Sequence, residues 1–282
     1  MAAPLAPVLE LGERRYDLED RALVMGILNR TPDSFFDQGA TWAWDAFWAR
    51  ADEIVAEGAD ILDVGAVKAG VGPEVTEAEE MDRLLPAVAG LVERFDVPVS
   101  VDTWRAAVAA EAFGAGAVLG NDISGFSDPG YLEAAAAAGA GVVATHIRLA
   151  PRVLDPFPVY TDLMREVTDF LCERAARALA AGIPAERVVL DPGLDLGKDA
   201  EQSLQLLRST ASFAALGYPL LVATSNKDFL GDILGLALDR RREATAAANA
   251  LAITLGGRLV RAHDVLGACR VRDMVAAILE AR

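Results

Sequence analysis

The chain has 282 residues, 53% of them hydrophobic, with a formal net charge of −16 and two cysteines. Such a composition belongs to a packed globule, and the length allows one large α/β domain or two ordinary ones. The charge argues against a nucleic-acid backbone as partner, no apolar run reaches the ~20 residues of a membrane span, and Cys172 and Cys269 have neither zinc-site nor disulfide-framework spacing.

Met1–Gly12 lacks the basic start and long apolar core of a signal peptide, so a cytoplasmic protein is expected. Within Leu9–Leu18, LELGERRYDL predicts a short β-hairpin placed to cover the bottom of a barrel built by the later strands. The first main strand is predicted at Ala22–Asn29, and it opens directly into the polar, aromatic loop RTPDSFFDQG. Helical periodicity over Ala40–Glu57 leads to a strand at Ala59–Asp63, and a second helix over Glu74–Arg94 leads to strands at Val97–Asp102, Ala117–Asn121 and Gly141–His146. A helix over Tyr160–Ala181, a strand at Arg187–Asp191 and a helix over Ala200–Leu216 come next, then strands at Pro219–Thr224 and Arg258–His263. Glycine marks helix-to-strand junctions such as AEGADILDV, GAGAVLGND, AGAGVVATH and LGGRLVRAH, where a left-handed helix stop is needed. Eight strands of one type alternating with helices, with no internal linker, predict a single (β/α)8 TIM-barrel domain over residues 1–282; a doubly wound open sheet is the alternative.

The strands end in chemistry: Asn29, Asp63, Asp102, Asn121 with Asp122, His146, Asp191, Ser225 with Lys227, and Arg261 with His263. A barrel gathers such ends on one face, so sequence-distant polar groups share a pocket. Any one of them alone could be a turn residue, and Asp63 and Asp122 are the first candidates for that. The carboxylates Asp102, Asp122 and Asp191, with Asn121, suit a flat heterocycle that presents amidine-like N–H groups, because a carboxylate accepts two parallel hydrogen bonds from such an edge. Lys227 can donate to the same ring. Asn29, Arg261 and His263 come from the first and last strands, neighbours in a closed barrel, and supply donors for a phosphate-like anion. Thr31, Asp33, Ser34, Phe35 and Asp37 are available as a loop that closes over it. His146 is expected to be held by a backbone carbonyl more readily than to act in catalysis. No Gly-rich dinucleotide fingerprint, Ser-His-Asp order or metal-binding His pair is present.

Taken in order, MGILNRTPDSFFDQG, GADILDVG, VPVSVDTWRA, NDISG, VVLDPGLDLGK, GYPLLVATSNKDFLG and RAHDV resemble the successive motifs of dihydropteroate synthase over about residues 22–280. The resemblance implies a TIM barrel, usually dimeric, that joins a pterin diphosphate to p-aminobenzoate with Mg²⁺. It implies a pterin pocket of Asp102, Asn121, Asp191 and Lys227, and it implies that Asn29, Arg261 and His263 hold the diphosphate, with Asn29 also serving the Mg²⁺.

Two stretches depart from the family pattern. After the second strand the usual Gly-Glu-Ser-Thr-Arg-Pro-Gly is replaced by Ala66 to Gly72, so that Ala69, Gly70 and Val71 stand in the aminobenzoate pocket and Lys68 is the nearby cation. After the seventh strand the usual second Ser is Asp228, expected to cap the helix that begins there and to present a like charge to an incoming carboxylate. These features resemble the divergent second paralogue of actinobacteria. Three functions fit: a dihydropteroate synthase-type transferase for p-aminobenzoate or an altered amine acceptor, a pterin-binding paralogue without catalysis, and a methyltetrahydrofolate-dependent methyltransferase. Arg261 and His263 weigh against the third, whose substrate carries no diphosphate.

Overall fold

A computed structural model describes residues 8–31 and 42–281. The chain opens with an antiparallel hairpin of β1 (Val8–Leu11) and β2 (Arg14–Asp17). Eight parallel strands come next: β3 (Leu23–Asn29), β4 (Ile61–Gly65), β5 (Val99–Asp102), β6 (Leu119–Asp122), β7 (Gly141–Thr145), β8 (Val188–Asp191), β9 (Leu221–Val222) and β10 (Leu259–Ala262). Their order around the sheet is β8-β7-β6-β5-β4-β3-β10-β9, and a bridge between Leu190 and Leu220 joins the two ends, so the sheet curls into a nearly closed barrel. The seam is short because β9 is reduced to two ladder residues within the longer predicted strand.

Helices cover the outside, as parallel strands buried on both faces require: α1 (Trp44–Ala56), α2 (Glu77–Arg94), α3 (Ala106–Gly114), α4 (Tyr131–Ala138), α5 (Leu163–Ala180), α6 (Ala200–Arg208), α7 (Thr210–Ala214), α8 (Asp228–Leu234), α9 (Arg242–Thr254) and α10 (Val265–Glu280). Their starts follow local chemistry: Thr76 accepts from Glu79 N–H at the start of α2, Asp162 from Arg165 N–H at α5, and Asp199 forms a capping box with Gln202 at α6. The helix predicted over Ala200–Leu216 is broken at Ser209 into α6 and α7.

The apolar residues divide into two cores. The larger lies between sheet and helices, and the smaller fills the barrel interior at the N-terminal ends of the strands. Leu9, Leu11 and Leu18 of the hairpin region pack there against Leu23, Met25, Ile61, Leu119, Val143, Val189, Leu221 and Leu259, so the hairpin closes the barrel bottom as its sequence predicts. Side chains alternate across a strand with period two. The same inward parity that delivers Leu23, Ile61, Leu119, Val189 and Leu259 to this plug therefore delivers Asn29, Asp63, Asn121, Asp191 and Arg261 to the interior farther along.

Candidate active site

At the C-terminal end of the barrel the interior turns from apolar to ionic. Arg261 of β10 donates from Nε to Asp63 Oδ2 at 2.6 Å and from Nη2 to Asp102 Oδ2 at 2.7 Å. Asp63 is fully buried and also accepts from Ser100 Oγ at 2.7 Å and from Asn121 Nδ2 at 3.2 Å. One guanidinium thus ties together strands β4, β5 and β10, and Asn121 joins from β6. Burial is the main reason the Asp102 carboxyl is pushed up to about 7; Arg261 opposes the rise and Asp63 adds to it. Burial alone would lower the Arg261 pKa, but the charges of Asp63 and Asp102 more than offset it and hold the guanidinium firmly protonated.

Asp191, at the end of β8, accepts the Gly193 N–H at 2.7 Å. Burial raises its carboxyl, and that hydrogen bond and the charges of Lys227, Lys198 and Arg261 oppose the rise. On the other side of the mouth Ser225 Oγ lies 3.0 Å from His263 Nδ1 and accepts the His263 N–H at 3.1 Å. Burial, then the positive charges of Arg261, Lys227 and Arg50, push the His263 imidazole down to about 3, so it is neutral at physiological pH. Asn29 ends β3 directly beside Gly65 of β4, whose other neighbour is Asp102. Arg30, next in the chain, is buried: its guanidinium lies 3.9 Å from the Trp44 ring centre and donates to Trp42 O at 2.5 Å. Thr31 is buried too, while Asp33, Ser34, Phe35 and Asp37 of the expected closing loop lie outside the described residues.

Three strand ends fall differently among their expected roles. Asp63 is not a turn residue but the hub of the interior network. Asp122 is one: its carboxylate, fully buried, accepts the N–H groups of Ser124 and Phe126 at 2.6 and 2.9 Å. His146 has the expected backbone hydrogen bond, to its own main chain, and a lysine as well: Lys198 Nζ lies 2.8 Å from its Nδ1 and also donates to the carbonyls of His146, Gly193 and Leu196 at 3.2, 2.8 and 3.0 Å. Burial and the Lys198 charge push His146 down to about 3, and burial pushes Lys198 down to about 7. Gly193 makes this cluster possible. It sits at φ +67°, and a Cβ there would lie 2.0 Å from His146 O.

A cavity of about 320 Å³ adjoins the mouth. Ala69, Gly70, Val71 and Asp228, four residues of the two divergent stretches, line it together with Asp195 and Lys198; Lys68 is not among the lining residues. Arg152 braces its wall by donating to Gly72 O and Pro73 O, both at 2.5 Å, and its N–H donates to Ala69 O at 3.0 Å. The expected capping role of Asp228 is corrected. Asp228 is the first residue of α8, and its carboxylate pairs with Arg241 Nη1 at 2.8 Å instead of capping the helix. The carboxylate of Asp195, from the loop after β8, accepts the Asp228 N–H instead, at 2.6 Å.

Fold and mouth together are those of a (β/α)8 barrel whose strand ends gather polar groups at one face. The chain belongs to the pterin binding enzyme family, whose profile matches residues 25–263. Within that family it is dihydropteroate synthase-like. It is 46% identical to the inactive dihydropteroate synthase 2 of Mycobacterium leprae over 92% of this chain and 91% of that one, and 38% identical to the dihydropteroate synthase of Bacillus subtilis over 93% and 90%. A crystal structure of the Yersinia pestis dihydropteroate synthase in a sulfonamide drug complex superposes with a TM-score of 0.93 at 37% identity, covering 97% of this chain and all of that chain.

Proposed function

We propose that this protein is a transferase of the dihydropteroate synthase type: it binds a 6-hydroxymethyl-dihydropterin diphosphate and passes the pterin methylene to an amine. The observation that carries this reading is the buried polar cluster at the barrel mouth, in which acceptors and cations alternate around one interior space.

In this reading Asp102, Asn121 and Asp191 take the N–H-bearing edge of the pterin and Lys227 donates to its ring. The amine nitrogen attacks the methylene carbon, the C–O bond to diphosphate breaks, and the proton lost by the amine passes to solvent. An aryl amine is already nucleophilic, so the protein's task is to position the reactants and stabilise charge. Asp102 and Asp191, held in a buried setting, offset the cation that develops on the pterin. Asn29, neutral His263 and Arg261 receive the departing diphosphate. For Arg261 this requires an exchange: the pterin's guanidine-like edge replaces the guanidinium at Asp102 and releases it toward the diphosphate.

Among the described residues no group of three or more His, Cys, Asp or Glu side chains could hold a metal ion. A single amide oxygen from Asn29 is nevertheless a fitting donor for Mg²⁺, which keeps waters and substrate phosphates as most of its ligands. When bound, Mg²⁺ would neutralise charge on the leaving diphosphate. A homodimer is part of the same proposal, supported by exposed Met274, Ile278 and Leu279 on α10 and tested by sedimentation velocity.

The second reading, pterin binding without catalysis, is favoured by a specific observation: Arg261 already occupies the carboxylates that a pterin would use. Calorimetric titration with pterin diphosphate, bare pterin and inorganic diphosphate tests the ligand assignment. The diphosphate form is expected to bind at least tenfold more tightly than either fragment. No binding of any of the three would overturn both readings.

A further inference from the structure

The cavity beside the mouth contains a carboxylate in an unusual posture. Asp195 sits at φ +65°, in the left-handed region that side chains rarely adopt and that Asp tolerates better than most. Its Oδ2 accepts the Asp228 N–H at 2.6 Å and faces the Phe229 N–H at 3.4 Å, while Oδ1 lies 3.2 Å from Ser203 Oγ. Ser203 Oγ in turn accepts the Asp195 N–H at 3.1 Å, so the side chain is held from both ends. Burial raises its carboxyl, and the Lys227 charge followed by the Phe229 and Asp228 N–H groups opposes that rise.

The neighbouring carboxylate of Asp228 cannot substitute for it. Asp228, also in the cavity wall, pairs its carboxylate with Arg241 Nη1 at 2.8 Å, and Arg241 is itself fixed by donating to Asn226 O and Lys227 O at 2.9 and 3.2 Å. Three other charged residues line the cavity and each is engaged: Arg152 with Gly72 O and Pro73 O, Asp155 with Arg148, and Lys198 with three backbone carbonyls. The rest of the wall, Ala69, Gly70, Val71, Leu149, Val153 and Leu154 among it, is apolar or small.

We propose that Asp195 determines which amine this protein accepts. Resting on the reading that this cavity receives the acceptor, the inference is that Asp195 acts as an internal stand-in for an acceptor carboxylate. It already takes the Asp228 N–H at the cavity wall and meets an incoming acid with a like charge in a confined space. The acceptor class that fits is an amine whose far end is uncharged and offers hydrogen-bond donors, to which Asp195 still has lone pairs to give. An amine carrying a carboxylate is rejected.

The test uses two isosteric probes, 4-aminobenzamide and 4-aminobenzoate, titrated calorimetrically into the full chain without any pterin. Wild type is expected to bind the amide at least tenfold more tightly. Asp195→Asn, which keeps an accepting oxygen but removes the charge, and Asp195→Gly, which relieves the positive φ and frees the N–H groups, should each shrink that ratio at least tenfold. Ser203→Ala, which leaves the carboxylate in the cavity, should keep the preference for the amide. Affinity for bare pterin should not change in any of them, a readout that general damage to the barrel mouth would move. Equal or tighter binding of 4-aminobenzoate to wild type overturns the proposal. So does an unchanged ratio in folded Asp195→Asn, or no detectable binding of either probe at millimolar concentration. Because no pterin is present, a protein that shows the expected amine preference yet ignores pterin diphosphate would refute the transferase reading and leave this one standing.

Discussion

Truncating Arg261 to Ala separates its two roles, as an internal counter-ion and as a diphosphate ligand. In the unliganded chain its guanidinium is shared between Asp63, which is fully buried, and Asp102, so the truncation strands a buried charge, at a stability cost of about 3 kcal/mol. The pH dependence has a definite sign. The Asp102 carboxyl is raised to about 7, above the ~4 of an unfolded chain, so its contribution to stability is complete below pH ~4 and is lost as pH rises through 7. Arg261 is the main influence that holds this pKa down, so removing it raises the Asp102 pKa further. The penalty of Arg261→Ala should therefore be larger at pH 8 than at pH 5, as read by urea melts at the two values. Binding, measured at pH 6, should split. Bare pterin loses a competitor for Asp102 and should bind up to about fivefold more tightly, on the order of 1 kcal/mol. Pterin diphosphate loses a charge-assisted contact worth about 2 kcal/mol and should bind roughly thirtyfold more weakly. Equal changes for both ligands, or a stability penalty independent of pH, would refute this account of Arg261.

Asp191→Asn and Lys227→Ala should each weaken bare pterin by about 1–3 kcal/mol in calorimetry, since each leaves a buried partner unmatched; unchanged affinity in both removes them from the pterin pocket. Asp228→Ser should cost no more than about 1 kcal/mol in thermal melts, because its side chain is 62% exposed in the pair with Arg241, and it should restore no aminobenzoate binding while Asp195 remains; recovery by this change alone would contradict the cavity geometry. Lys198→Met should lower stability by about 2–4 kcal/mol, because three carbonyls and His146 Nδ1 lose their shared partner; a melt within about 0.5 kcal/mol of wild type would show the ammonium to be dispensable.

Much of the barrel was legible because period-two strands and glycine helix stops are local signals. The hairpin plug followed from the alternation of Leu9 and Leu11. Parity could also have sorted the strand-end acids: Asp63 shares the inward parity of Ile61, whereas Asp122 follows inward Asn121 and must turn away. Reading the acids only as a set of strand ends missed that distinction. The Arg261–Asp63 pair spans 198 residues of sequence, and no spacing rule connects such positions. The length of β9 depends on which neighbours it finds, which a single strand does not encode. Asp195 was hidden for another reason. It lies in a loop where a turn acid is the ordinary reading, and only its left-handed backbone and the position of α8 bring its carboxylate into the cavity.

The central claim is tested most directly by incubating the purified protein with pterin diphosphate, Mg²⁺ and a panel of aryl amines, and measuring diphosphate release together with the mass of any pterin–amine product. The account predicts release that depends on the amine, a matching adduct with neutral amines such as 4-aminobenzamide, and little or none with 4-aminobenzoate. Rapid turnover of 4-aminobenzoate would contradict the rebuilt acceptor side, and tight pterin diphosphate binding with no release across the whole panel would contradict the transferase itself.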